Sequence, residues 1–179
     1  MSRQYFADTL SEPPVVNLTA IVATTETALW DPTLYSPIAG NDCRPGKIYR
    51  VIAGGIITTA ATGTLTITPR FGLTTGGVTM GASGAQTVPA SLTNVAWELS
   101  MTVVCRTTGA AGSATGTVIG TGTFSMAGTL ATAGSGMNVN FGGTSAAVRT
   151  DIATGICLGW TLSVAGSVTP QFAFIQSYN

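Results

Sequence analysis

The chain contains no histidine and a single lysine, Lys47. The commonest general base and the commonest metal ligand are both missing. Charged residues make up 8% of the 179 residues, and the seven basic side chains are balanced by seven acidic ones. A net charge of zero supplies no phosphate neutralisation, so nucleic-acid binding is not expected. It gives no grip on an anionic membrane surface either. Long apolar runs are also lacking. A spanning helix needs about 20 continuous apolar residues, and the best run, residues 51–57, contains Gly54 and Gly55 and ends at Thr58. Residues 1–20 hold Asp8, Glu12 and Pro13-Pro14 and show no apolar core behind a basic start, so no secretory signal is expected. Aromatics are 7% of the chain, with none of the girdles of a transmembrane barrel.

Cysteine is scarce and odd in number: Cys43, Cys105 and Cys157. No C-x-x-C pair exists, so a zinc site is unsupported. Cys105 and Cys157 sit in apolar strand patterns and read as small core residues, and Cys43 lies in a polar loop. Three free thiols are the expectation.

What the chain does have is apolar and β-prone. Apolar residues make up 45%, and mean hydropathy is +0.41. That composition excludes disorder. Length alone gives one domain, able to bury roughly 70% of its unfolded surface. There are 31 threonines and 23 glycines; threonine favours pleated, half-buried surface and glycine marks turns. Several segments alternate with period two. Leu65, Ile67, Pro69 and Phe71 oppose Thr64, Thr66, Thr68 and Arg70. Trp97, Leu99, Met101, Val103 and Cys105 oppose Glu98, Ser100, Thr102, Val104 and Arg106. Leu158, Trp160, Leu162 and Val164 form another apolar face, and Phe172 and Phe174 oppose Ala173 and Ile175. Further strands are expected over residues 15–25, 47–58, 116–127 and 137–141. Turn clusters stand at residues 42–46, 72–77, 109–113, 133–136 and 142–145. No stretch carries a capped helical period. The fold expected is all-β, a single two-sheet sandwich of jelly-roll type over residues 15–179, with an extended N-terminal arm over residues 1–14.

Catalytic constellations are not supported. Nucleophilic triads lack a base. The glycine-rich stretch 116–122 has no Walker lysine and no following helix. Asp31 and Asp42 share a loop but form no EF-hand pattern. Asn17-Leu18-Thr19 matches a glycosylation sequon, a chance match in a threonine-rich chain. No enzyme activity, cofactor or metal is expected. A surface so poor in charge favours association, so a homo-oligomer is expected, a trimer by preference.

Tyr49-Arg50-Val51-Ile52-Ala53-Gly54-Gly55 leads into the Gly63–Gly72 strand segment. Val88-Pro89-Ala90-Ser91-Leu92 precedes Trp97, and Gly142-Gly143-Thr144-Ser145 and Val168-Thr169-Pro170-Gln171-Phe172 follow. Together these segments, over roughly residues 30–179, resemble small virion structural proteins of tailed bacteriophages, the head decorations and minor tail parts. The resemblance carries no catalytic signature. It implies a β-sandwich subunit that docks on a larger shell, with the major capsid protein as partner and the outer capsid surface of the virion as its place. The alternative is a tail-fibre or receptor-binding head, or a glycan-binding module. The arm lies outside the resemblance and is read from its own residues. Tyr5 and Phe6 are large apolar groups outside any core, and Arg3 offers a charge-assisted bond. With Trp30 and Tyr35 in the long loop of residues 30–46, they are the expected partner contacts.

Overall fold

The structure is a computed structural model that describes residues 7–9, 20, 24–127 and 136–178. In chain order the elements are β1 (Ala7–Thr9), β2 (Thr27–Ala28), the one-turn helix α1 (Pro32–Tyr35), β3 (Pro37–Ile38), β4 (Ile48–Thr59), β5 (Gly63–Phe71), β6 (Val78–Thr79), β7 (Gln86–Val88), β8 (Leu92–Thr107), β9 (Gly116–Met126), β10 (Met137–Val148), β11 (Thr154–Leu162) and β12 (Gly166–Tyr178). The first sheet has the order β1-β12-β4-β8-β9-β10 and the second β2-β11-β5-β6, with β3 also on β11 and β7 on β5. Every pairing is antiparallel. The expected all-β two-sheet sandwich is present. β4 and β5 pair with β12 and β11 respectively, so two long hairpins nest across the two sheets. β8, β9 and β10 run on as a meander within the first sheet.

The alternating residues supply the core. Trp97, Leu99, Met101, Val103 and Cys105 of β8 are all buried, and their neighbours of opposite parity face out. Trp97 and Phe124 from the first sheet meet Trp160 from the second, with ring centroids 5.4–5.9 Å apart. Burying such a ring contributes roughly 1.5–3 kcal/mol relative to exposure, which the indole N–H groups of Trp97 and Trp160, buried without a partner among the described residues, offset in part. Along one side the gap between the sheets is closed by residues 80–83. The Met80 and Ser83 amides donate to the carbonyls of Pro69 and Ile67 in β5 (2.8 and 2.9 Å). The Gly142 and Thr144 amides of β10 donate back to Gly81 and Met80 (2.9 and 3.1 Å).

Four expectations are corrected. The glycine cluster at 142–145 does not reverse the chain. Gly142 and Gly143 adopt φ of +88° and +91°, and β10 continues through a register shift between Gly142 and Ser145. The glycines provide the left-handed conformations of a bulge rather than those of a turn. The loop of residues 30–46 is not bare, because Asp31 caps α1 and Pro32 occupies its first turn. The cysteines are not all free: Cys43 and Cys105 form a disulfide, with Cα atoms 5.7 Å apart, and Cys157 alone is a buried thiol. Finally, residues 7–9, inside the segment expected to reach a partner, pair with Gln176, Ser177 and Tyr178 of the same chain. The strand expected over residues 15–25 and the turn at 133–136 lie almost wholly outside the described residues.

Candidate functional surface

The expected contact residues do not come together. Arg3, Tyr5 and Phe6 lie outside the described residues. Trp30 is 4% exposed and belongs to the core. Its indole N–H donates to Ser36 Oγ (3.0 Å) and to the Ile156 carbonyl (3.3 Å), while the Ser36 hydroxyl itself donates to Ile156. Trp30 is therefore corrected from partner contact to core anchor; a buried indole N–H needs an acceptor and here finds two. Tyr35 is half-buried and packs against the core. The exposed residue of α1 is Leu34, 63% accessible.

Residues 26–38 run along β11: β2 and β3 are bonded to its edge, while Glu26 and Pro32 stand over Gly159 and Gly155 on its outer side, and β11 is buried without alternation from Thr154 to Trp160. Glu26 takes both a 2.7 Å and a 2.8 Å bond from the Arg70 guanidinium, which also donates to Gly77 O and Thr79 Oγ1. The Glu26 carboxylate holds Arg70 above its usual range. Burial raises the Cys157 thiol to about 11, so it is neutral and unreactive at physiological pH.

The other ionisable groups serve the fold as well. Asp31 accepts from the Thr33 hydroxyl (2.6 Å) and amide (2.8 Å), bonds that lower its pKa. Asp42 accepts from Tyr49 Oη at 2.8 Å and lies 3.3 Å from Lys47 Nζ. Burial, then the Asp42 hydrogen bond, pushes the Tyr49 phenol up. Asp151 pairs with Arg149 and accepts from the Gly112 amide, contacts that hold it below the carboxylate range. Asp31 and Asp42 thus have separate partners. Among the described residues no three His, Cys, Asp or Glu side chains stand together as metal ligands.

The outer face of the first sheet is different. Strand register sets three parallel rows across it. One row is Phe174, Ile52, Ser100, Thr123 and Asn140; the next is Phe172, Gly54, Glu98, Ser125 and Asn138; the third is Gln176, Arg50, Thr102, Thr121 and Gly142. Neighbouring strands are about 4.8 Å apart, so each row is a continuous ladder. The face is concave in two places. A trough of about 540 Å³ is lined by Ser100, Thr102, Thr121, Thr123 and Asn140, with Ala82 at its border. A second, of about 260 Å³, shares Ser100 and Thr123 and reaches Arg50, Glu98 and Phe172. The Phe172 ring lies over Gly54, where a Cβ atom would come within 2.6 Å of it. Glycine at 54 is what lets the ring lie there. Sequence reasoning placed Glu98, Ser100 and Thr102 on a polar strand face. It had no means of finding which strands stand beside β8, and so missed the ladder.

No family model matches the chain, and no curated protein or solved structure matches it. Among the described residues no helix is long and apolar enough to cross a membrane.

Proposed function

We propose that this chain is a non-enzymatic structural subunit of a phage virion, a head decoration or cement protein that docks on the outer capsid surface and stabilises the shell. The observation that carries the reading is how the fold uses its few charges. Lys47, Arg70 and Arg149 are paired within the chain to Asp42, Glu26 and Asp151, and Asp31 caps α1. The surface that remains is nearly neutral, so packing against neighbouring subunits would bury few unpaired charges. An interface of standard size buries about 1,600 Å², and many copies on a shell multiply a modest affinity through avidity. The Cys43–Cys105 disulfide supports an outward position, since disulfides persist where the medium is oxidising. A homo-oligomer of closed symmetry, a trimer by preference, is part of the proposal. Light scattering should then return a multiple of 18.1 kDa.

The test is imaging of intact particles with gold-labelled antibody to this chain. Label distributed over the outer capsid is the expected result. Label restricted to tail tips would transfer the reading to a receptor-binding head, and particles that carry no label would remove both.

A further inference from the structure

We propose that the outer face of the first sheet is a binding trough for a neutral oligosaccharide. This inference stands apart from the virion reading; it rests on the hydrogen-bonding state, the shape and the chemical order of the ladder.

The hydrogen-bonding state comes first. Several Ser and Thr side chains elsewhere hold the fold: Ser36 with Trp30, Thr59 with Pro89, Ser83 with Ile67, Thr150 with Gly109 and Thr107 with Thr117. On the ladder, Ser100, Thr102, Thr121, Thr123 and Asn140 make no side-chain hydrogen bond to any described residue. They form a two-dimensional array of groups that both donate and accept, held on adjacent strands of a paired sheet. Sugar hydroxyls have the same dual character.

Shape and charge narrow the ligand. The larger trough is shallow and open to solvent and continues into the smaller one, so the space is elongated across the strands. No charged side chain lines the larger trough. The smaller one holds one positive and one negative group, Arg50 and Glu98. A polyanion would need a surplus of cations here and finds none. A protein partner would seek an apolar or aromatic centre with a polar rim, yet here the hydroxyls are central. Phe172 and Phe174 stand to one side, on β12 next to the edge, with centroids 6.3 Å apart. An aromatic side wall beside a hydroxyl ladder fits a chain of rings with apolar C–H faces and polar edges. Phe172 takes the face of one ring, and Ser100, Thr102, Thr121, Thr123 and Asn140 take hydroxyls of those that follow.

The test uses the full chain and immobilised neutral hexasaccharides as probes: maltohexaose, cellohexaose, mannohexaose and chitohexaose. Thr121→Val and Thr123→Val remove one hydroxyl each while keeping β-branched shape. Phe172→Leu removes the aromatic wall, and Thr66→Val on the second sheet is the control. The expected result is binding of at least one probe by the wild type, weakened roughly fivefold or more by each trough variant and unchanged by Thr66→Val. Thermal melts establish that every variant is folded. Failure of all four probes at millimolar concentration would overturn the proposal, and so would binding that the trough variants leave intact. If the wild type is an oligomer that Thr121→Val or Phe172→Leu dissociates, the face belongs to a second copy of the chain, and the proposal also falls.

Discussion

The two sheets share an interior but present opposite backs. Along β11 of the second sheet run residues 26–38, and there Glu26 is engaged with Arg70 and Ser36 with Trp30 and Ile156. Behind the first sheet lies nothing among the described residues, and Ser100, Thr102, Thr121, Thr123 and Asn140 make no side-chain hydrogen bond to any of them. The difference follows from burial. A covered polar group must find a partner within the protein or cost the fold its desolvation energy. An uncovered group is under no such demand and stays available to a ligand. In a chain with this much serine and threonine, the hydrogen-bond partner of a residue says more about its role than its identity does.

The largest effect should come from the cross-link between these regions. Cys43 follows the segment along β11 and Cys105 ends the inner face of β8, 62 positions further along the chain. Loop-closure entropy for a cross-link of that span is worth about 4 kcal/mol. Replacing both cysteines by alanine should therefore lower the denaturant midpoint sharply, and reductant should do the same to the wild type. An unchanged midpoint would mean that the cover holds without its staple.

Arg70→Met comes next. It removes a guanidinium with four hydrogen bonds and leaves Glu26 without its partner over β11. Hydrogen bonds to charged groups contribute about 1.5–3 kcal/mol, and a loss of about 2 kcal/mol in equilibrium unfolding is expected. Ser36→Ala should cost about 1–2 kcal/mol, because the Trp30 indole then keeps only its longer bond to Ile156.

Alkaline pH probes one buried group in each sheet. Cys157 is raised from 9.0 to about 11 and Tyr49 from 10.0 upward. Their raised values favour the fold below the unfolded-state pKa, and that advantage disappears as pH climbs through the folded values. With no histidine to titrate, melting temperature should be level from about pH 5 to 8.5. It should then fall, by about 1 kcal/mol of stability near pH 10 from the thiol. The Asp31 and Asp151 shifts run the other way and lose their contribution as pH falls below the usual carboxylate range. The smallest effect belongs to the bare back. Ser100→Ala and Thr121→Val should each change stability by less than about 0.5 kcal/mol. A larger loss would show that the ladder is structural after all.

Much of the sandwich was legible because period-two alternation is a direct imprint of one buried face. Residues 97–106 display it without interruption, and β8 follows it residue by residue. Legibility failed where a distant segment changes a residue's surroundings. β11 lost its alternation because Glu26 and Pro32 stand over Gly159 and Gly155 on its outer side, and Trp30 looked open only because its acceptors, Ser36 and Ile156, are brought to it by folding. The Cys43–Cys105 pairing is a matter of three-dimensional proximity that spacing does not encode. Glycine was ambiguous for a different reason: the left-handed backbone it permits serves a turn and a bulge equally well, and Gly142-Gly143 serves the bulge. The ladder sits between these cases, its β8 residues visible from parity and its width visible only from register.

The strip of residues 80–83 has a mechanical consequence. Because it is hydrogen-bonded to β5 on one side and to β10 on the other, the sheets cannot part along that side like the covers of a book. A force that slides one sheet over the other must shear the four backbone bonds together, whereas peeling would break them in turn. The same strip occupies the β10 edge around Gly142 and Thr144, where an open strand would otherwise invite pairing with another chain. Along this flank the subunit is both stiffened against tearing and sealed against misassembly.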